Sequence, residues 1–180
     1  MRILPVLVGL TILGCSGDAV ETTTSTVGTT TTAAAVASSS TEAGGFPVEV
    51  YFVDEAAFAA GTEPYVVAVP RTITGDSDLE ALIQGALEAL YAGPSASETG
   101  LVAATSGTTG VADVRVEDGV ARITLAGPCS SGGSTLTIAN LIFPTVHQFE
   151  EVMDVKIYDE AGQTAEPTGP GDSMPACLEP

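Results

Sequence analysis

Thirty consecutive residues, Ser16 to Gly45, have a composition that cannot build a core, and they divide the chain in two. Nine are Thr, six Ala, five Ser and four Gly, so 24 of the 30 are small or hydroxylated. No apolar periodicity runs through them, and such a stretch buries too little surface to offset the entropy of ordering it. The segment is expected to be a flexible tether, about 30 Å from end to end as a random coil. Whatever folds in these 180 residues must lie beyond it, and that remainder suits one domain of ordinary size.

Ahead of the tether stands a processing signal. Arg2 supplies a positive charge, and the 11 residues from Ile3 to Leu13 are almost wholly apolar. A membrane-spanning helix needs roughly 20, so the run reads as the core of a signal peptide. Ile12-Leu13-Gly14-Cys15 follows directly and resembles the bacterial lipobox. That resemblance implies cleavage after Gly14 and a diacylglycerol thioether on Cys15, holding the protein to the extracytoplasmic face of the cell membrane. The alternative is an ordinary secretory signal with an incidental Cys. The expected organisation is a signal peptide over 1–14, a lipidated Cys and linker over 15–45, a folded domain over 46–163, and a Pro/Gly-rich C-terminal segment over 164–180.

Charge narrows the partners. The chain has 23 acidic residues against five basic ones, a formal charge of -18. Such a surface repels phosphate backbones and anionic headgroups, which sets nucleic acid aside and leaves membrane contact to the lipid. With Cys15 lipidated, Cys129 and Cys177 remain. An even remainder in an exported protein reads as one disulfide, closing a loop of about 50 residues; free thiols or intermolecular pairing are the alternatives.

Within the domain, Val48, Val50 and Phe52 alternate with Glu49 and Tyr51 as a strand with one apolar face. Tyr65 to Val69 is a second β-branched run that Pro70 ends or places at an edge. Ser77-Asp78-Leu79-Glu80 fits a capping box, with Ser77 as N-cap. Leu79, Leu82, Ile83, Ala86, Leu87 and Leu90 then share a helical face up to the Gly93-Pro94 stop. Asp118-Gly119 signals a two-residue hairpin turn. It pairs Val116 with Ala121, Val114 with Ile123 and Ala112 with Leu125. Arg115 then faces Arg122, with Asp113 and Glu117 close enough to offset the repulsion. A second helix is expected from Ser134 to about Phe149, kinked or interrupted at Pro144. Met153, Val155 and Ile157 mark a last strand. The order β-β-α-β-β-α-β predicts a single small α+β domain, a mixed or antiparallel sheet with two helices on one face.

These residues, in this order, resemble the GerMN domain, a module named from a sporulation and germination protein. The pieces are Val50-Tyr51-Phe52, Val69-Pro70-Arg71, Leu87, Leu90 and Ala92-Gly93-Pro94. They continue through Glu98, Gly100-Leu101, Val116 to Ala121, Gln148-Phe149 and Val155. The resemblance covers about Val48 to Gly162. It implies a compact α+β module related to ring-building motifs, usually exported and often lipid-anchored. Such modules are associated with envelope, peptidoglycan or sporulation assembly, or work beside a membrane sensor kinase, and the domain has no established enzymatic activity.

Candidate chemistry is sparse. The one histidine, His147, falls late in the second helix among apolar neighbours and reads as structural, and a serine triad needs a His base. No zinc, calcium or phosphate-loop spacing occurs, so no metal or cofactor is expected. A carboxylate-pair hydrolase stays open because acids are abundant. Arg71 is the charge to watch: either a structural partner of an acid such as Glu98, or a contact for an anion or a partner. The function expected is a non-catalytic envelope lipoprotein that binds an envelope or membrane protein, or itself. A small-ligand or wall-fragment binder serving a membrane sensor is the alternative.

Overall fold

The computed structural model describes residues 45–104 and 106–180. The expected signal peptide, Cys15 and the tether up to residue 44 lie outside the described residues.

The first sheet is built on β1 (Phe46–Asp54), which buries Val48, Val50 and Phe52 on one face as the alternation requires. β2 (Val66–Ile73) pairs with it antiparallel, setting Val69 opposite Val50 and Arg71 opposite Val48. A two-residue strand, β3 (Leu101–Val102), joins the other edge at Val53 and Asp54, giving the order β2-β1-β3. Lower on that edge a side chain stands in for a strand. The Gln148 amide accepts from the Glu49 N–H and donates to the Glu49 carbonyl, both at 2.7 Å. Glu49 therefore turns its backbone away from β2, and Pro70 opposite it needs no N–H for the ladder.

The second sheet holds β4 (Gly110–Glu117), β5 (Val120–Ala126) and β6 (Asp154–Tyr158). The β4–β5 hairpin is antiparallel and β5–β6 is parallel. Asp118 and Gly119 both take positive φ, 51° and 78°, as a type I′ turn demands. Val116 faces Ala121 and Val114 faces Ile123 as predicted. The third pair differs: a bulge between Val111 and Asp113 ejects Ala112, so Leu125 faces Val111. Arg115 does face Arg122, and Asp113 (3.1 Å) and Glu117 (3.4 Å) neutralise them.

The α+β class and the mixed strand pairing stand, with the strands divided between two three-stranded sheets. Helix α2 (Leu79–Ala92) explains the division. It packs on both sheets, and its Glu80 carboxylate accepts the Val116 N–H at 2.8 Å, occupying the edge that β4 would otherwise offer to another strand. Ser77 is accordingly not the N-cap. Asp78 takes that place, accepting from Ala81 N at 3.0 Å, and Glu80 is spent on β4 rather than on a capping box. Ile83, Ala86, Leu87 and Leu90 are buried, and Gly93 at φ 81° ends the helix.

Two elements had no apolar signal to reveal them. α1 (Glu55–Ala60) buries nothing and is held by its ends, with Asp54 accepting from Ala57 N and Gly61 at φ 64°. β3 is too short to show a period. The last helix, α3 (Ala139–His147), is shorter than predicted. Ser134 does not cap it: its hydroxyl exchanges hydrogen bonds with the Leu136 backbone instead. Pro144 sits inside the helix rather than interrupting it. Both sheets and both longer helices close over one apolar core that includes Phe52, Ile83, Leu87, Ile123, Leu141 and Ile157. The segment after β6 returns to its free edge, where Ser173 bridges Lys156, and Leu178 enters the core at 1% exposure.

Candidate functional site

Arg71 leaves β2 on the core side of the first sheet. Its guanidinium lies 5.4 Å from the centre of the Phe52 ring and takes both carboxylate oxygens of Glu98, at 2.7 and 2.8 Å. A third bond reaches its neighbour's carbonyl on Pro70 at 3.1 Å. Glu98 also accepts the Ser95 N–H at 2.7 Å. The Arg71 fork, with that amide second, lowers the Glu98 carboxyl to about 2, and the same bond raises the Arg71 pKa. The pairing weighed from sequence is thus present, and it ties β2 to the loop after α2. With its fork filled and its side chain only 21% exposed, Arg71 has little left to offer an anion.

Cys129, in the loop after β5, and Cys177, in the C-terminal segment, are brought together with Cα atoms 5.7 Å apart, a separation that a disulfide spans. Cys15 lies outside the described residues.

Three arrangements were not legible in the sequence. His147, at the end of α3, contacts both carboxylate oxygens of Asp172 at 3.0 and 2.9 Å. Asp172 also accepts the Val155 N–H at 2.9 Å, so the pair fastens the C-terminal segment to α3 and β6 together. Among the described residues no hydroxyl or thiol is hydrogen-bonded to His147, and the pair has the form of a clasp. A hydroxyl chain runs from Tyr91 through Thr108 (2.8 Å) to Ser106 (2.6 Å) along a cavity of about 370 Å³ that Leu90 and Ile138 also line. Burial pushes the Tyr91 phenol up, and the Thr108 bond partly opposes this. Lys156 is the third: at 1% exposure, its amino group has no hydrogen-bond partner among the described residues. In the fold Lys156 falls in register with Arg122, opposite Arg115, in one basic row across the second sheet, a pairing that nothing in the sequence named.

Among the described residues no group of three His, Cys, Asp or Glu side chains is placed to hold a metal ion. No described helix is long and apolar enough to cross a membrane.

Comparison with protein-family models matches residues 49–165 to the family Germane, described as sporulation and spore germination. Comparison with curated protein sequences gives no match. Among solved structures, the chain is similar to the tandem GerMN domains of the sporulation protein GerM from Bacillus subtilis. The identity is 21% over 76% of this chain and 48% of that one, with a TM-score of 0.43. It is similar to the first GerMN domain of the same protein at 22% identity, over 70% of this chain and 92% of that one, TM-score 0.48. A third is a candidate lipoprotein from Clostridium perfringens, at 20% identity over 65% and 76%, TM-score 0.36. The chain spans about half the length of the tandem-domain structure.

Proposed function

The chain belongs to the Germane family of GerMN-type sporulation and germination domains, and from that membership we propose that it is a non-catalytic, lipid-anchored protein whose domain binds another envelope protein. The family match over most of the folded part carries the reading. Two features support it. Ile12-Leu13-Gly14-Cys15 provides an anchoring site before a long small-residue tether. The side chains best suited to chemistry, Arg71 and His147, are engaged by Glu98 and Asp172 in contacts that hold elements together. We also propose that Cys129 and Cys177 form a disulfide in the exported protein.

The test is crosslinking in the cells that produce the protein, comparing the native chain with Cys15→Ser. A defined membrane or wall-synthesis partner, lost with the anchor, is the expected result. Recovery of self-crosslinked species alone would replace the reading with a homo-oligomeric scaffold. A second reading rests on the hydroxyl-lined cavity beside Tyr91, whose size suits a small polyol or sugar fragment. Thermal stabilisation by muropeptides, lost in Tyr91→Phe and Ser106→Ala, would favour it.

A further inference from the structure

The two longer helices pack against the face of the first sheet that presents Val48, Val50 and Phe52, and the opposite face is exposed along only part of its length. Successive rows there read Glu49 beside Pro70, Tyr51 beside Ala68, then Val66, Val53 and Val102 across all three strands. Ala68, Pro70 and Val102 are exposed and Tyr51 and Val66 half-buried, while Val53 between them is buried at 3% exposure and offers no surface of its own. At the same end as Val102, Phe58 stands 41% exposed and edge-on to Tyr65, ring centres 5.4 Å apart. In a chain of formal charge -18, this strip holds one carboxylate, Glu49, which accepts from the Tyr51 hydroxyl at 3.3 Å. The chain beside its Phe58 end is acidic: Asp54 caps α1 and Glu55 opens it ahead of Phe58, and Glu63 precedes Tyr65. The described bases are elsewhere, Arg71 on the sheet's other face and Arg115, Arg122 and Lys156 on the second sheet.

We infer that this strip is the docking surface of the interaction module, and that its occupant is a different protein presenting an apolar patch rimmed by Lys or Arg. The inference rests on the proposed function and says where and with what chemistry binding occurs. Charge selects the occupant: a second copy would set Glu49, Asp54, Glu55 and Glu63 against their own counterparts, whereas a basic rim is attracted. Area agrees. The strip from Glu49 to Val53, at about 3.3 Å per residue and across two strands about 4.8 Å apart, makes roughly 160 Å², far below the ~800 Å² per partner of a stable interface. So small a contact suits a partner concentrated at the same membrane by tethering. The entry point of the preceding chain fits as well. Gly45 lies against Thr72, so the described chain begins at that end of β1, and Phe58 and Val102 stand at the opposite end. Docking is onto the face rather than by strand addition, because Pro70 removes a donor from the free edge of β2 and Gln148 fills the opposite edge of β1.

The experiment uses the full chain in the cells that produce it, with a photoreactive residue in place of Ala68, Val102 or, on the exposed side of α2, Glu88. One heterologous adduct is expected from positions 68 and 102 and none from 88. The adduct from position 102 should fall about tenfold or more in Ala68→Lys but less than about threefold in Ala68→Glu, with melting temperatures unchanged. The reverse order of those two charges, or an adduct with a second copy, overturns the proposal. Adducts from position 88 alone would remove the surface and leave the interaction-module reading standing. Adducts from none of the three would remove the surface, and the anchored-chain crosslinking above would then decide the reading separately.

Discussion

Glu98 stays ionised through a range in which an ordinary glutamate takes up a proton, because Arg71 and the Ser95 amide hold its pKa at about 2 against a usual 4.5. A carboxylate depressed on folding stabilises the fold above its unfolded pKa and loses that contribution as pH falls through its folded one. Here the window runs from about 4.5 down to about 2. Arg71→Met keeps a stem over Phe52 and removes the fork. It should lower the melting temperature by about 2–5 °C at pH 7, a modest figure because solvent screens part of the pairing. Thermal melts at pH 7, 4 and 2 should show that gap narrowing towards pH 2. A gap independent of pH would assign the effect to packing on Phe52. Arg71 and Glu98 could be paired on paper because bases are so few that each invites the question of its acid. Lys156 gave no such warning, since its burial depends on a segment that returns from 17 residues further on. A buried amino group without a partner is costly, so Lys156→Met should raise the melting temperature by several degrees; a fall would mean that the group has an essential polar contact.

Elements with a strong apolar period were readable, and those defined by close approach were not. The face of α2 and the inward residues of β1 follow from spacing alone, as does the hairpin through Asp118-Gly119. The bulge at Ala112 and the use of Glu80 on β4 need a neighbour that spacing does not name. Gly85 is a case of the same kind. In mid-helix, Gly→Ala normally gains about 1 kcal/mol, and nothing in the sequence marks this one as different. In the fold, however, a Cβ there would run into the Ile73 side chain of β2. Gly85→Ala should therefore forfeit the helix gain and destabilise by about 1–2 kcal/mol. Gly85→Ala combined with Ile73→Ala should be less destabilised than the sum of the two single changes, measured by urea titration as a double-mutant cycle. Strict additivity would mean that α2 does not touch β2 at this point.

The division into two sheets and the parallel seating of β6 belong to the whole molecule, and pairings across so much intervening chain leave no local trace. The same holds for residues 164–180, whose Pro and Gly suggest looseness while three separate devices fasten them. Ser173 pairs with β6 through Ile157 N and Val155 O. Asp172 joins the Val155 amide to His147. Cys177 meets Cys129 across 48 residues of sequence. The proposed disulfide, at that span, would contribute roughly 4 kcal/mol in the chain-entropy model. Cys177→Ser should remove most of that, yet the hydrogen bonds to β6 are made by residues that the substitution leaves in place. Opening should therefore become local before it becomes global. Hydrogen exchange in Cys177→Ser should quicken first at the Val155 and Ile157 amides, which depend on Asp172 and Ser173, and later at Ile123 and Leu125 in the middle of the same sheet. If all four amides quicken together, the C-terminal segment is no separate clasp, and the second sheet and its last strap fold as one unit.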